Sequence, residues 1–170
     1  MNSTFSLKHK ANTATQGFSL IEMVMVIAII AIMCAVAIPF FGGFIENRDL
    51  KTAAGVVASD FYQTKQNAIA SNSLWTITFN VAGNSYTIAQ LDSNGIPVSQ
   101  STNSPGSIKS TILIDPASPP NFMGTPLVVT FSPRGTVNSG SLQLVNSRTS
   151  TATVTISITG RTYVNYTALK

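Results

Sequence analysis

The sequence predicts an α+β chain: one long N-terminal helix, membrane-spanning in its first half and amphipathic in its second, packed on a small antiparallel β-sheet domain. Three observations predict it. Nineteen uncharged, almost wholly apolar residues run from Met23 to Phe41, and apolar positions then recur at helical spacing as far as Ala68. From Leu74 onward Thr, Ser, Val, Ile and Asn alternate in polarity, as half-buried strands do.

Residues 1–17 are polar and rich in Ser, Thr, Asn and Lys, with nothing to bury, and read as a disordered leader. From Phe18 the pattern is helical. At about 1.5 Å per residue the apolar run would be roughly 28 Å long, close to the hydrocarbon thickness of a bilayer. A secretory signal peptide has a shorter apolar core, about 7–15 residues, and a small-x-small cleavage site behind it. This run is longer, and it ends in Ile38-Pro39-Phe40-Phe41. Lys8, His9 and Lys10 in front of it favour a cytoplasmic N-terminus and an exported C-terminal side, although Arg48 and Lys51 beyond it reduce the asymmetry.

Pro39 lacks an amide donor and clashes with the carbonyl four residues back, so a kink is expected there, with Gly42-Gly43 a second soft point. The helix then resumes. Leu50, Ala54, Val57, Phe61 and Ala68 fall on one face, while Arg48, Asp49, Lys51, Asp60 and Lys65 lie largely off it; Ser71-Asn72-Ser73 reads as the stop. Strands are expected at 74–80, 85–91, 108–114, 127–131, 141–145, 151–158 and 161–166, with hairpin turns at Ala82-Gly83-Asn84 and Thr159-Gly160. Loops rich in Gly, Pro and Ser fill 92–107, 115–126 and 132–140. The expected organisation is a leader (1–17), an apolar helix (18–45), its amphipathic continuation (46–73) and an exported β-rich domain (74–170).

Composition excludes several functions. The chain is 44% hydrophobic and 9% charged with a net charge of +4; from Phe18 on it carries 8 basic and 6 acidic side chains, a net of +2, too little to imply a polyanionic partner. The single cysteine, Cys34, lies in the apolar run, so no disulfide can form in the exported part. The single histidine, His9, lies in the leader, and the acids after Asp60 are Asp92 and Asp115, both in turn-like settings. A nucleophile with its base, a metal cluster, a carboxylate pair or a Gly-rich phosphate loop would need residues this chain lacks. No enzymatic activity, cofactor or metal is expected.

Gly17-Phe18-Ser19-Leu20-Ile21-Glu22-Met23, followed by the apolar helix with Pro39 in it, resembles the type III signal and N-terminal helix of type IV pilins and type II secretion pseudopilins. The resemblance covers the N-terminal third of the chain. It implies that a prepilin peptidase cuts between Gly17 and Phe18 on the cytoplasmic side and methylates the new amino group of Phe18. The helix would stay in the lipid of the bacterial inner membrane until an assembly platform moves the subunit into a filament. Glycine suits such a cut, because a protease must approach the backbone closely.

Glu22 would become the fifth residue of the mature chain. An interfacial acid reaching the headgroups is the plainer reading of such a residue. Near the bilayer centre, however, a charge costs about 2.5–3.5 kcal/mol, and the partner the resemblance implies is the N-terminal amine of Phe18 on a neighbouring subunit. Pro39 reads either as a kink tolerated in any transmembrane helix or, through the resemblance, as the point where helix is lost on packing.

Residues 58–79, Phe131-Ser132-Pro133-Arg134-Gly135 and Ile156-Ser157-Ile158-Thr159-Gly160-Arg161 look like the pseudopilin H and FimT group of minor subunits. Some FimT-like subunits bind DNA through a Gly-Arg-x-Arg motif; this chain keeps Gly160-Arg161-Thr162 but has Tyr163 where the second arginine would fall. Arg134, Arg148, Arg161 and Lys170, with Tyr163 and Tyr166, would make a small phosphate-binding patch, against the plainer reading of a solvated sheet edge. The resemblance thus implies a structural minor subunit of a type II secretion pseudopilus or type IV pilus. The alternatives are a DNA-binding subunit of a competence pilus and a single-pass membrane protein that is never processed.

Overall fold

The computed structural model describes residues 17–125 and 127–167, and the side chains of 38–41 are not among those described. The leader ahead of Gly17, with its basic residues and His9, and the terminal Lys170 lie outside the described residues. The chain divides into two compact units, one ending at Phe40 and the other beginning at Phe41. One helix, α1 (Leu20–Ser71), contributes to both.

In the first unit α1 starts where the sequence provides a cap. The Ser19 carbonyl accepts from the amides of Glu22 (3.0 Å) and Met23 (3.2 Å). Ser19 and Glu22 thus have the Ser-x-x-Glu spacing of a capping box, and the acid sits in the first turn, where the helix end is positive. From Leu20 to Ala37 the mean hydropathy is 2.8 and no residue is buried.

In the second unit α1 buries Leu50, Ala54, Val57, Phe61 and Ala68, the predicted stripe, together with Ala53. Thr64 is buried on the same face because its hydroxyl donates back to the Asp60 carbonyl at 2.6 Å. The helix ends at Ser71 through a left-handed Asn72 (φ 48°). The Ser73 amide bonds the Ala68 carbonyl and the Asn72 amide the Ile69 carbonyl, a Schellman arrangement.

Two antiparallel sheets, rather than one, complete this unit. The first runs β3-β2-β1-β6 and is built from β1 (Leu74–Asn80), β2 (Ser85–Leu91), β3 (Pro97–Asn103) and β6 (Val128–Phe131). The second centres on β7 (Gly140–Val145), β8 (Thr151–Ile156) and β9 (Thr162–Thr167). Two short strands, β4 (Leu113–Ile114) and β5 (Asn121–Phe122), both pair with β7. Alternating residues of both sheets, among them Ile77, Phe79, Leu142, Leu144, Val154 and Ile156, form one core with the buried face of α1. Phe61 lies where the sheets meet, its ring 6.2 Å from Phe79, 6.3 Å from Phe122 and 6.3 Å from Phe131.

β1 and β2 have their predicted bounds, and Asn84 closes their hairpin in the left-handed region (φ 45°). Three expectations need correction, the first being the loop expected over 115–126, which contains β5 because the edge of β7 is open to pair with it. The strand expected over 108–114 shrinks to β4, because a 3-10 turn at Pro105–Ser107 and a turn closed by the Ile112 amide on the Lys109 carbonyl occupy the stretch before it. The loop expected over 92–107 contains β3, a full seven-residue edge strand.

Candidate functional site

The first unit presents its N-terminal segment openly. Gly17, Phe18 and Ser19 precede the helix and are exposed, Phe18 at 75%. A Cβ placed on Gly17 would meet nothing within 4 Å, so packing within the chain does not require glycine there. The peptide bond after Gly17 is thus outside the helix and two residues ahead of Leu20. Glu22 projects from the first helical turn, exposed, and no basic side chain among the described residues pairs with it.

Behind Glu22 the helix offers an uncovered apolar surface. Between Phe18 and Val36, thirteen large apolar side chains are exposed. Burying each is worth about 1.5–3 kcal/mol, or roughly 20–40 kcal/mol together, against the ~5–15 kcal/mol that holds a typical domain folded. Water is therefore a poor medium for this segment; lipid or another apolar surface must cover it. Cys34 is exposed on the same stretch.

The second unit holds its polar groups in structural roles. Tyr86 donates its hydroxyl to Asp60 Oδ2 at 2.5 Å, and Asn103 Nδ2 donates to the same oxygen at 3.0 Å. Burial, and then the hydrogen bond and charge of Asp60, push the Tyr86 hydroxyl far above its ordinary range, so it stays a donor. Near the start of this unit Ser147 donates to Glu46, while Lys109 Nζ lies 3.5 Å from Glu46 and 3.6 Å from Asp49. The Ser147 hydrogen bond holds the Glu46 carboxyl below its ordinary range, helped by Lys109 and Arg148 and opposed by burial. Among the described residues no group of three His, Cys, Asp or Glu could hold a metal.

The basic residues expected to gather in one patch do so only in part. Arg134 is exposed in the turn closed by the Gly135 amide on the Ser132 carbonyl, and the exposed Arg161 stacks its guanidinium 5.7 Å from the Tyr163 ring centroid. Gly135 and Gly160 both pack on Lys65, whose ammonium donates to the Thr159 carbonyl at 2.7 Å. Lys65 is thus a third cation beside these two turns, and its long-range partner left no signal in the sequence. Arg148 does not join them: its guanidinium lies by Gly42 and its charge acts on Glu46. Tyr166 instead carries Lys51, 5.5 Å from its ring centroid.

An exposed apolar helix behind an open Gly-Phe step, continuous in sequence with an amphipathic stretch packed on antiparallel sheets, defines a pilin-like subunit, a membrane-anchored protein that assembles with others of its kind. The prokaryotic N-terminal methylation motif matches residues 12–38, and the model of the type II transport protein GspH matches residues 53–160. The chain belongs to that GspH family. Among solved structures it is similar to the minor pseudopilin EpsH of the type 2 secretion system of Vibrio cholerae (15% identity, 69% of this chain and 97% of that one, TM-score 0.53). It is similar also to the type IV minor pilin FimU of Pseudomonas aeruginosa (14% identity, 72% of this chain and 92% of that one, TM-score 0.54). At those identities the likeness is one of fold. A search of curated proteins finds no match.

Proposed function

We propose that the chain is made as a precursor, cut between Gly17 and Phe18 by a prepilin peptidase, N-methylated on Phe18 and held in the bacterial inner membrane by the helix that follows. Its N-terminus faces the cytoplasm and its β-rich domain the periplasm. The assembly platform of a type II secretion or type IV pilus machine then draws it into a filament, where residues 18–45 form part of the core and residues 74–170 face outward. Glu22 sets register by pairing with the Phe18 amine of a neighbour, and Pro39 is the point where the helix yields on packing. The subunit acts by position, with no catalytic step and no cofactor.

The observation that carries this reading is the unhindered Gly17–Phe18 step directly ahead of an uncovered apolar helix with a single acid, Glu22, in its first turn. Co-expression with a prepilin peptidase followed by intact-mass analysis tests it: a chain beginning at N-methylated Phe18 is expected, and an intact chain beginning at Met1 would leave an unprocessed membrane protein. The DNA-binding alternative is not favoured. Tyr163 replaces the second arginine of the motif, and Arg148 lies apart from Arg134 and Arg161.

A further inference from the structure

We propose that a cleft between α1 and the edge strand β3 binds a neutral oligosaccharide. The strand register shows why the cleft exists. Across the inner face of the first sheet, Phe79 pairs with Tyr86 and Tyr86 with Asn103; Ile77 pairs with Ile88 and Ile88 with Ser101; Trp75 pairs with Gln90 and Gln90 with Ser99. Each row starts apolar on β1 and ends polar on β3. Asn103 reaches the helix through its hydrogen bond to Asp60, but Ser99 and Ser101 offer no apolar surface to close onto it, and a cavity of about 260 Å³ remains between strand and helix.

The lining sets the class of ligand. Among the described residues no Lys, Arg or His lines the cavity, so no positive side chain there draws an anion. Its one carboxylate, Asp60, already accepts from Tyr86 and Asn103, and a lone carboxylate so engaged makes a poor cation site. The amides of Gln63 and Asn67 on α1 and the hydroxyls of Ser99 and Ser101 on β3 have no side-chain hydrogen-bond partner among the described residues. Amides and hydroxyls both donate and accept, so the matching ligand does the same at several neighbouring positions, as sugar hydroxyls do.

Trp75 and Ile88 add apolar surface to this lining, against which the C–H face of a sugar ring can lie. The indole N–H is tied to Ser71 Oγ at 3.0 Å, which fixes the ring in place. The volume falls just under the ~300 Å³ lower end of small-ligand pockets, which suits one or two sugar rings. An extended peptide would instead pair with the main chain along the free edge of β3, leaving these inward-facing side chains unused.

Trp75 is the only tryptophan in the chain and therefore reports the site directly. The full chain is placed in zwitterionic micelles without sugar headgroups and titrated with maltotriose and with chitotriose. A saturable change in Trp75 emission is expected, with a dissociation constant on the order of 1–10 mM. Each of Gln63→Ala, Asn67→Ala and Ser101→Ala should weaken binding roughly 2- to 12-fold, the worth of one hydrogen bond. The exposed control Tyr62→Ala should leave it unchanged. Saturation-transfer NMR on the sugars gives a second readout that does not depend on the fluorophore. No saturable binding by either method, binding unmoved by all three substitutions, or an extended peptide displacing the sugars would each overturn the proposal.

Discussion

Phe61→Ala tests the junction on which the second unit is built. The ring is fully buried and contacts three others, from β1, β5 and β6, at centroid separations of 6.2, 6.3 and 6.3 Å. Removing a buried phenylalanine costs about 3–5 kcal/mol, and the cost depends on how far the site can collapse. Here Phe79, Phe122 and Phe131 belong to strands of two different sheets, so no single movement fills the void, and the edge-on and tilted ring contacts, worth about 0.5–1.5 kcal/mol each, are lost as well. The expected loss is therefore about 4–5 kcal/mol. Tyr62→Ala, at the next residue but 62% exposed, should cost no more than about 0.5 kcal/mol. Urea unfolding of the full chain in micelles, followed by Trp75 emission, measures both. A loss below about 2 kcal/mol for Phe61→Ala, or equal losses for the two variants, would refute the packing argument.

Two glycines should respond in opposite directions. A Cβ on Gly140 would collide with the Asn121 carbonyl and lie 2.6 Å from Phe122 Cα, backbone that cannot swing away, so Gly140→Ala should lower stability by about 1–3 kcal/mol and release β5. Gly55, exposed in α1 with open space around it, should gain about 0.5–1 kcal/mol as alanine in the same urea assay. Because the Glu46 carboxyl is held below its ordinary range, its contribution to stability is present above the unfolded-state value of about 4.3 and is lost as pH falls through the folded-state value. Glu46→Gln should flatten that acid limb in a pH series of urea midpoints, and an unchanged limb would show that Glu46 does not produce it. In a gel shift at low salt the full chain should not retard double-stranded DNA; retardation lost in Arg134→Ala with Arg161→Ala would restore the DNA-binding alternative.

The sequence carried most of the helix and part of the sheets, for physical reasons that differ between elements. The stripe from Leu50 to Ala68 was legible because one helical face meets a core, which imposes its spacing on the residues. β1 and β2 were legible because they alternate and are bounded by turns. β3 was not, because Ser99, Gln100, Ser101 and Thr102 are polar on both faces of an edge strand and so resemble a loop in composition. The cleft it forms with α1 was hidden with it. β4 and β5 are two residues each and exist only because β7 offers them an edge, a non-local cause that no local pattern records. The Gly17 to Met23 motif was legible because it is local in sequence and depends little on tertiary contacts, and it falls within the stretch that the N-terminal methylation motif matches. The division of the cations was not, because Lys65 reaches Thr159 across 94 residues of sequence and Arg148 turns toward Glu46.

The central claim is that the exposed helix becomes filament core and that Glu22 directs it there. The direct measurement compares wild type with Glu22→Ala, following the processed chain by immunoblot in the membrane fraction and in sheared filaments. Both variants should be cut at Gly17 and anchored equally well, since the substitution removes a group costing about 2.5–3.5 kcal/mol at the bilayer centre and leaves the apolar span intact. The account predicts that wild type enters filaments while Glu22→Ala accumulates in the membrane. Equal incorporation of the two would contradict it.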